Sequence, residues 1–129
     1  LLEPTRLYAR AVRTVLRHYR VKQVVHGIAH ITGGGLAENL GRIVPETIQI
    51  SIDRASWKVP PVFGWVGRLG QIDAAEMERV FNMGLGMVLV VSPHFADSIQ
   101  HQLADLGMTA WKIGTAAAAE PAAPRVRLT

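Results

Sequence analysis

The chain has no cysteine among its 129 residues, which excludes disulfides, zinc–thiolate sites and thiol nucleophiles. It has no apolar run near the roughly 18 residues that a bilayer span requires, and no signal-peptide pattern. No membrane partner is expected, and a cytoplasmic location is. Aromatic residues make up only 6% of the sequence. Lysine and arginine outnumber aspartate and glutamate by 14 to 10, for a net charge of +4. The excess favours an anionic partner. Nucleic acid is not the expected one, because the cations are scattered and no aromatics interleave with them. No Lys-Ser or Lys-Thr follows a glycine cluster, and no G-x-G-x-x-G spacing occurs, so neither a P-loop nor a dinucleotide fingerprint is present. His26 and His30 lie four residues apart on a predicted strand, about 13 Å at the usual rise, too far to share a metal directly. No metal site is expected, and no Ser–His–Asp constellation can be traced.

What is present is a hydrophobic fraction of 49%, enough for a core in a chain of this length. One domain over residues 1–129 is the expectation. The sequence opens on Leu1 with no methionine and is read as a piece of a longer protein.

Residues 5–20 have helical spacing, with Tyr8, Val12, Val15, Leu16 and Tyr19 on one stripe. Arg6, Arg10, Arg13 and Arg17 form another face, read first as solvated and second as a docking surface for the rest of a parent protein. Residues 24–31 and 47–53 read as strands, the second alternating with Ile48, Ile50 and Ile52 inward. Pro60-Pro61 suits a helix entry and Gly70 its end. Asp73 and Glu76 resemble a capping box. Residues 87–91 are a continuous apolar strand of the kind covered on both faces. Ser92-Pro93 suits the start of a helix that Gly107 ends. Residues 109–114 read as a strand, 116–124 as a loop, and 125–129 as an edge strand. The predicted class is α+β, with helices packed on a mainly antiparallel mixed sheet.

The chemistry concentrates at the first glycine cluster, Thr32-Gly33-Gly34-Gly35. It lies between a strand and a helix, so bare N–H groups sit at the positive end of a helix dipole, an arrangement that binds phosphate or carboxylate. A tight turn with no ligand is the plainer reading of the same residues. Glu38 and Asn39, one turn into the helix, are candidate hydrogen-bonding groups facing the ligand, and His30 is a further candidate beside the turn. Asp53 is read as a loop cap. Asn82, Gly84 and Gly86 form a second turn before the apolar strand, where glycine supplies positive φ or close approach. Unaided, these residues describe an anion-binding α+β domain with an incomplete set of catalytic groups.

Seven segments taken together carry a resemblance. They are Leu2-Glu-Pro-Thr-Arg-Leu-Tyr8, His30-Ile-Thr-Gly-Gly-Gly-Leu-Ala-Glu-Asn39, Ile52-Asp-Arg-Ala-Ser-Trp57, Val62-Phe-Gly-Trp65, Glu76-Met77, Phe81-Asn-Met-Gly-Leu-Gly-Met87 and Ala110-Trp-Lys-Ile-Gly114. In order and spacing the chain resembles the C-terminal domain of the phosphoribosylformylglycinamidine cyclo-ligases, the aminoimidazole ribonucleotide synthetases. The resemblance implies an N-terminal domain outside this chain that binds ATP and Mg and forms most of a homodimer. It implies no cofactor held by this chain alone. It implies that ATP activates the formyl-derived amide oxygen of formylglycinamidine ribonucleotide, and that an amidine nitrogen then closes the imidazole ring in de novo purine synthesis. This segment alone would be inactive. The substrate's 5′-phosphate would sit on Thr32, Gly33, Gly34 and Gly35, with His30, Glu38 and Asn39 along the ribose or glycinamidine side. Asn82, Gly84 and Gly86 would lie near the cleft between the domains. Related domains of selenophosphate synthetase, thiamine-monophosphate kinase or the hydrogenase-maturation dehydratase, or a non-catalytic phosphate-binding module, are the alternatives. The face turned to the missing domain is expected to expose Trp57, Phe63 or Met83.

Overall fold

The computed structural model describes residues 4–129. The elements are α1 (Ala9–His18), β1 (Val25–His30), α2 (Gly35–Ile43), β2 (Ile48–Ile52), α3 (Pro61–Gly70), α4 (Ala74–Val80), β3 (Met87–Val91), α5 (Ala96–Asp105), β4 (Gly114–Ala118) and β5 (Val126–Leu128). Short 3-10 turns occupy Arg54–Ser56 and Pro93–Phe95. The α+β class holds, but the strands divide between two sheets. β1 pairs antiparallel with β3. β2 is the centre of the other sheet, antiparallel to β4 and parallel to β5.

Two apolar clusters hold these sheets. The larger lies under α2 and includes Ile31, Leu36, Leu40, Ile50, Ile52 and Leu85. Leu40 and Ile52 are 0% and 1% exposed, and each such side chain contributes about 1.5–3 kcal/mol by leaving water. The smaller joins α1 to α5 through Val15, Val24 and Ile99. β3 serves both, with Val88 and Val90 against the larger and Leu89 and Val91 against the smaller. That explains its unbroken apolar sequence. Its five residues are nevertheless only half-buried, because a groove runs along it.

Several expectations are corrected. Helix α1 starts at Ala9 rather than residue 5, because the Tyr8 ring packs on the second glycine segment and the chain before it stays irregular. Its buried positions are Ala11 and Val15, while Leu16 is exposed. Helix α3 ends at Gly70 as expected, and Gln71 takes the left-handed position after it, with φ +50. Asp73 does cap α4 by accepting from Glu76 N–H at 2.8 Å, but the Glu76 carboxylate turns to Arg79 and leaves the box half-made. Ser92 makes no cap bond; its hydroxyl pairs with His26 Nε2 at 2.8 Å. The fourth strand falls at Gly114–Ala118, later than expected. Gly114 opens that strand instead of closing one, since a Cβ there would lie 2.0 Å from the Ser51 carbonyl oxygen. Ladder pairing with β2 thus overrides the poor strand propensity of alanine. Trp57 is buried, donating from Nε1 to the Met83 carbonyl at 3.1 Å. Phe63 and Met83 are half-buried, and the exposed large apolar residues are others, among them Leu7, Val21, Trp65 and Leu69. Burying an indole with its N–H satisfied is the more favourable arrangement.

Candidate functional site

The first glycine cluster lies between the end of β1 and the start of α2. Gly35 N–H donates to the Thr32 carbonyl at 3.1 Å, closing the turn. Gly34 and Gly35 have φ of +96 and +61, in the region that only glycine enters freely. Gly35 is also fixed by space, as a Cβ there would meet the Glu78 carbonyl oxygen at 1.8 Å. Gly33 differs, with nothing within 4 Å of its Cβ position. Thr32 and Gly33 are exposed, Gly34 is half-buried and Gly35 is buried. Among the described residues, no group accepts a hydrogen bond from the Gly33 or Gly34 N–H. Two open amides thus stand at the N-terminal end of a nine-residue helix.

The remaining candidates on β1 and α2 separate. Asn39 is buried and turns its carboxamide into the loop, donating from Nδ2 to the carbonyls of Gly35, Gly33 and Thr32. Glu38 is exposed and curls back over Gly34, where its carboxylate pairs with Arg42. That pairing offsets the negative charge closest to the open amides. His30 is exposed, its ring edge-on to Tyr8 with centroids 6.2 Å apart.

The second glycine segment is tied to the first. Ile31 N–H donates to the Gly86 carbonyl at 2.9 Å. Asn82 Oδ1 accepts from Gly84 N–H at 3.0 Å, and the Asn82 carbonyl accepts from Leu85 N–H at 2.9 Å. Gly84 has φ +95 and leaves room for Pro60, whose Cδ would be 2.4 Å from a Cβ. Gly86 leaves room for Tyr8, whose hydroxyl would be 2.0 Å from a Cβ. From this segment a groove of about 450 Å³ runs along β3, between α5 and residues 108–116, with Arg6, Tyr8 and Lys112 among its polar lining. Gly84 and Gly86 line it; no residue of the first turn does.

Behind the first turn, Arg54 grips Glu78 with two hydrogen bonds of 2.7 and 2.9 Å. The hydrogen bond to Glu78 holds the guanidinium above its ordinary pKa; burial opposes it and the Glu78 charge adds to it. This pair braces the end of α4 whose main chain crowds Gly35. Tyr8 and Arg42 were not among the sequence candidates. Tyr8 carries no motif beyond its place in the Pro-Thr-Arg-Leu-Tyr run. Arg42 had a usable signal in its i, i+4 spacing from Glu38.

Residues 1–126 match the family model described as AIR synthase related protein, C-terminal domain. The chain belongs to this family. Among AIR synthase relatives, the phosphoribosylformylglycinamidine cyclo-ligase of Symbiobacterium thermophilum is 48% identical over 126 residues, which are 98% of this chain and 35% of that protein. The protein of the same name from Pseudothermotoga lettingae is 49% identical over 114 residues, 88% of this chain and 32% of its own length. The chain therefore spans about a third of these relatives. In solved structures, HypE of E. coli, a hydrogenase maturation protein, aligns with a TM-score of 0.64 over 94% of this chain and 35% of its own, at 21% identity. That likeness extends to the fold of the AIR synthase related domain alone. No helix among the described residues is long and apolar enough to cross a membrane.

Proposed function

We propose that this AIR synthase related domain is the substrate-binding C-terminal part of an ATP-dependent cyclo-ligase. The reaction closes formylglycinamidine ribonucleotide to aminoimidazole ribonucleotide in de novo purine synthesis. The observation that carries the reading is 48% identity across 98% of the chain to a protein of that name. In this reading residues 1–129 form one domain, and a preceding domain and a second copy of the complete protein complete the cytoplasmic enzyme.

The first glycine turn receives the substrate's 5′-phosphate. Gly33 and Gly34 supply N–H donors and the α2 dipole the favourable field, while the Thr32 hydroxyl turns to Asn39 Oδ1 at 3.5 Å. Gly35 holds the turn against α4. His30 and Glu38 line the ribose or glycinamidine side, and Asn82, Gly84 and Gly86 form the adjoining wall of the cleft. Among the described residues no three histidine, aspartate or glutamate side chains converge, and no lysine follows the glycine turn. In this reading the Mg–ATP centre belongs to the preceding domain. The work of this chain is to bind and orient the ribonucleotide.

The test is turnover by the complete polypeptide, followed as ADP release dependent on formylglycinamidine ribonucleotide. Ring closure with the ribonucleotide, and a much higher KM for the riboside lacking the phosphate, are expected. No substrate-dependent ADP release would overturn the assignment of reaction, and equal KM values would overturn the phosphate seat.

A further inference from the structure

Asn39 is 6% exposed, and its Nδ2 faces three main-chain oxygens, those of Gly35 at 2.8 Å, Gly33 at 3.2 Å and Thr32 at 3.3 Å. On the other side Oδ1 faces donors, the Thr32 hydroxyl and Arg42 Nη1, both at 3.5 Å. Acceptors on the nitrogen side and donors on the oxygen side fix which way the amide points. A planar trans peptide sets the N–H of one residue opposite to the carbonyl of the residue before it. No peptide bond among the described residues is cis. Drawing the Thr32 and Gly33 carbonyls inward therefore turns the Gly33 and Gly34 N–H groups outward. Those are the two amides that no group in the described residues accepts from.

We infer that Asn39 is the positioning residue of the phosphate seat. It touches no ligand. Its buried carboxamide holds two peptide planes so that their N–H groups converge on the anion. The inference rests on the reading of this turn as a phosphate site given above, and it moves Asn39 from the ligand's side of the turn to the inner side.

The side chain's donor capacity makes the role testable. An aspartate in its place has no proton to give when ionised and one when protonated; the three surrounding carbonyls favour the protonated form, and Arg42 and the Thr32 hydroxyl beside the other oxygen oppose them. The probe is ribose 5-phosphate, its dissociation constant measured by calorimetry on the complete polypeptide between about pH 5.5 and 8, each variant taken as a ratio to wild type at the same pH. Asn39→Asp is expected to weaken binding at least about tenfold at the upper pH and to return to within about threefold of wild type at the lower. Asn39→Leu, near in volume and without a donor, is expected to weaken binding by about tenfold at every pH. A Leu variant that binds like wild type, or an Asp ratio that stays flat with pH, overturns the inference. If the Leu variant does not fold, the pH dependence of the Asp ratio decides alone. Failure of the underlying reading shows separately, in the wild type, as ribose binding no more weakly than ribose 5-phosphate.

Discussion

Residues 32–35 and 82–86 both place glycines beside a strand, both include left-handed positions, and a hydrogen bond from Ile31 to Gly86 joins them. They differ in what their amides and their missing side chains do. In the first segment two N–H groups stay open, and an asparagine inside the loop accounts for the opposing carbonyls. In the second, an asparagine at the loop's start accepts from Gly84 N–H, and the glycines make room for Pro60 and Tyr8. One segment leaves backbone N–H groups open; the other admits neighbours to the main chain. A cluster of glycines is thus a statement about space, and only the surrounding donors and acceptors decide whether that space is a site.

The largest expected effect separates two glycines of the first segment. Gly35→Ala forces positive φ on a side chain and drives Cβ into the Glu78 carbonyl, at 1.8 Å. Denaturant melts should show a loss of about 3 kcal/mol or more. Gly33→Ala, with open space around it, should change stability by no more than about 0.5 kcal/mol. Equal losses would mean that the turn is packed as tightly at its tip as at its base, and the open-amide description would fail.

A smaller effect belongs to the second segment. Gly86→Ala meets a side chain, Tyr8, with the hydroxyl at 2.0 Å, and a side chain can move. A loss of about 1–2 kcal/mol is expected, most of it recovered when Tyr8→Ala is added. Additive losses in that double-mutant cycle would show that Gly86 is needed for some reason other than Tyr8.

The smallest effect lies on the groove that the second segment opens. The hydrogen bond from Lys112, a groove residue, holds the Asp97 carboxyl below the ordinary carboxylate range, and its charge adds to the effect. A lowered folded value means that the pair's stabilisation is present above the unfolded value and lost as pH falls through the folded one. Lys112→Ala should move the Asp97 titration midpoint upward in carboxyl NMR, while a melt at neutral pH hardly changes because both groups are exposed. An unmoved midpoint would dissociate Asp97 from Lys112.

Much of this was legible in the sequence, and the reasons are local. The alternation of Ile48, Ile50 and Ile52 gave β2, and the break at Gly33–Gly35 gave the strand-to-helix junction. Pro61 stood at the helix entry as expected. The misplaced elements depended on partners distant in sequence. β4 exists because β2 offers a ladder to five exposed residues, three of them alanine. Trp57 is buried because a carbonyl 26 residues away accepts its N–H. At the site, the glycines and their place at a helix start could be read directly. The inward turn of Asn39 could not, because it depends on where three carbonyls point. The role of Tyr8 depends on a contact with Gly86 across the fold.

In the proposed reading the first segment takes the anion and the second, packed on Pro60 and Tyr8, does not. The most direct measurement of this is a titration of the complete polypeptide, labelled with nitrogen-15 at glycine, with ribose 5-phosphate. The expected result is saturable movement of the Gly33 and Gly34 amide signals, larger than that of Gly84 in the adjoining cleft wall. Movement of Gly84 while Gly33 and Gly34 stay fixed would contradict it.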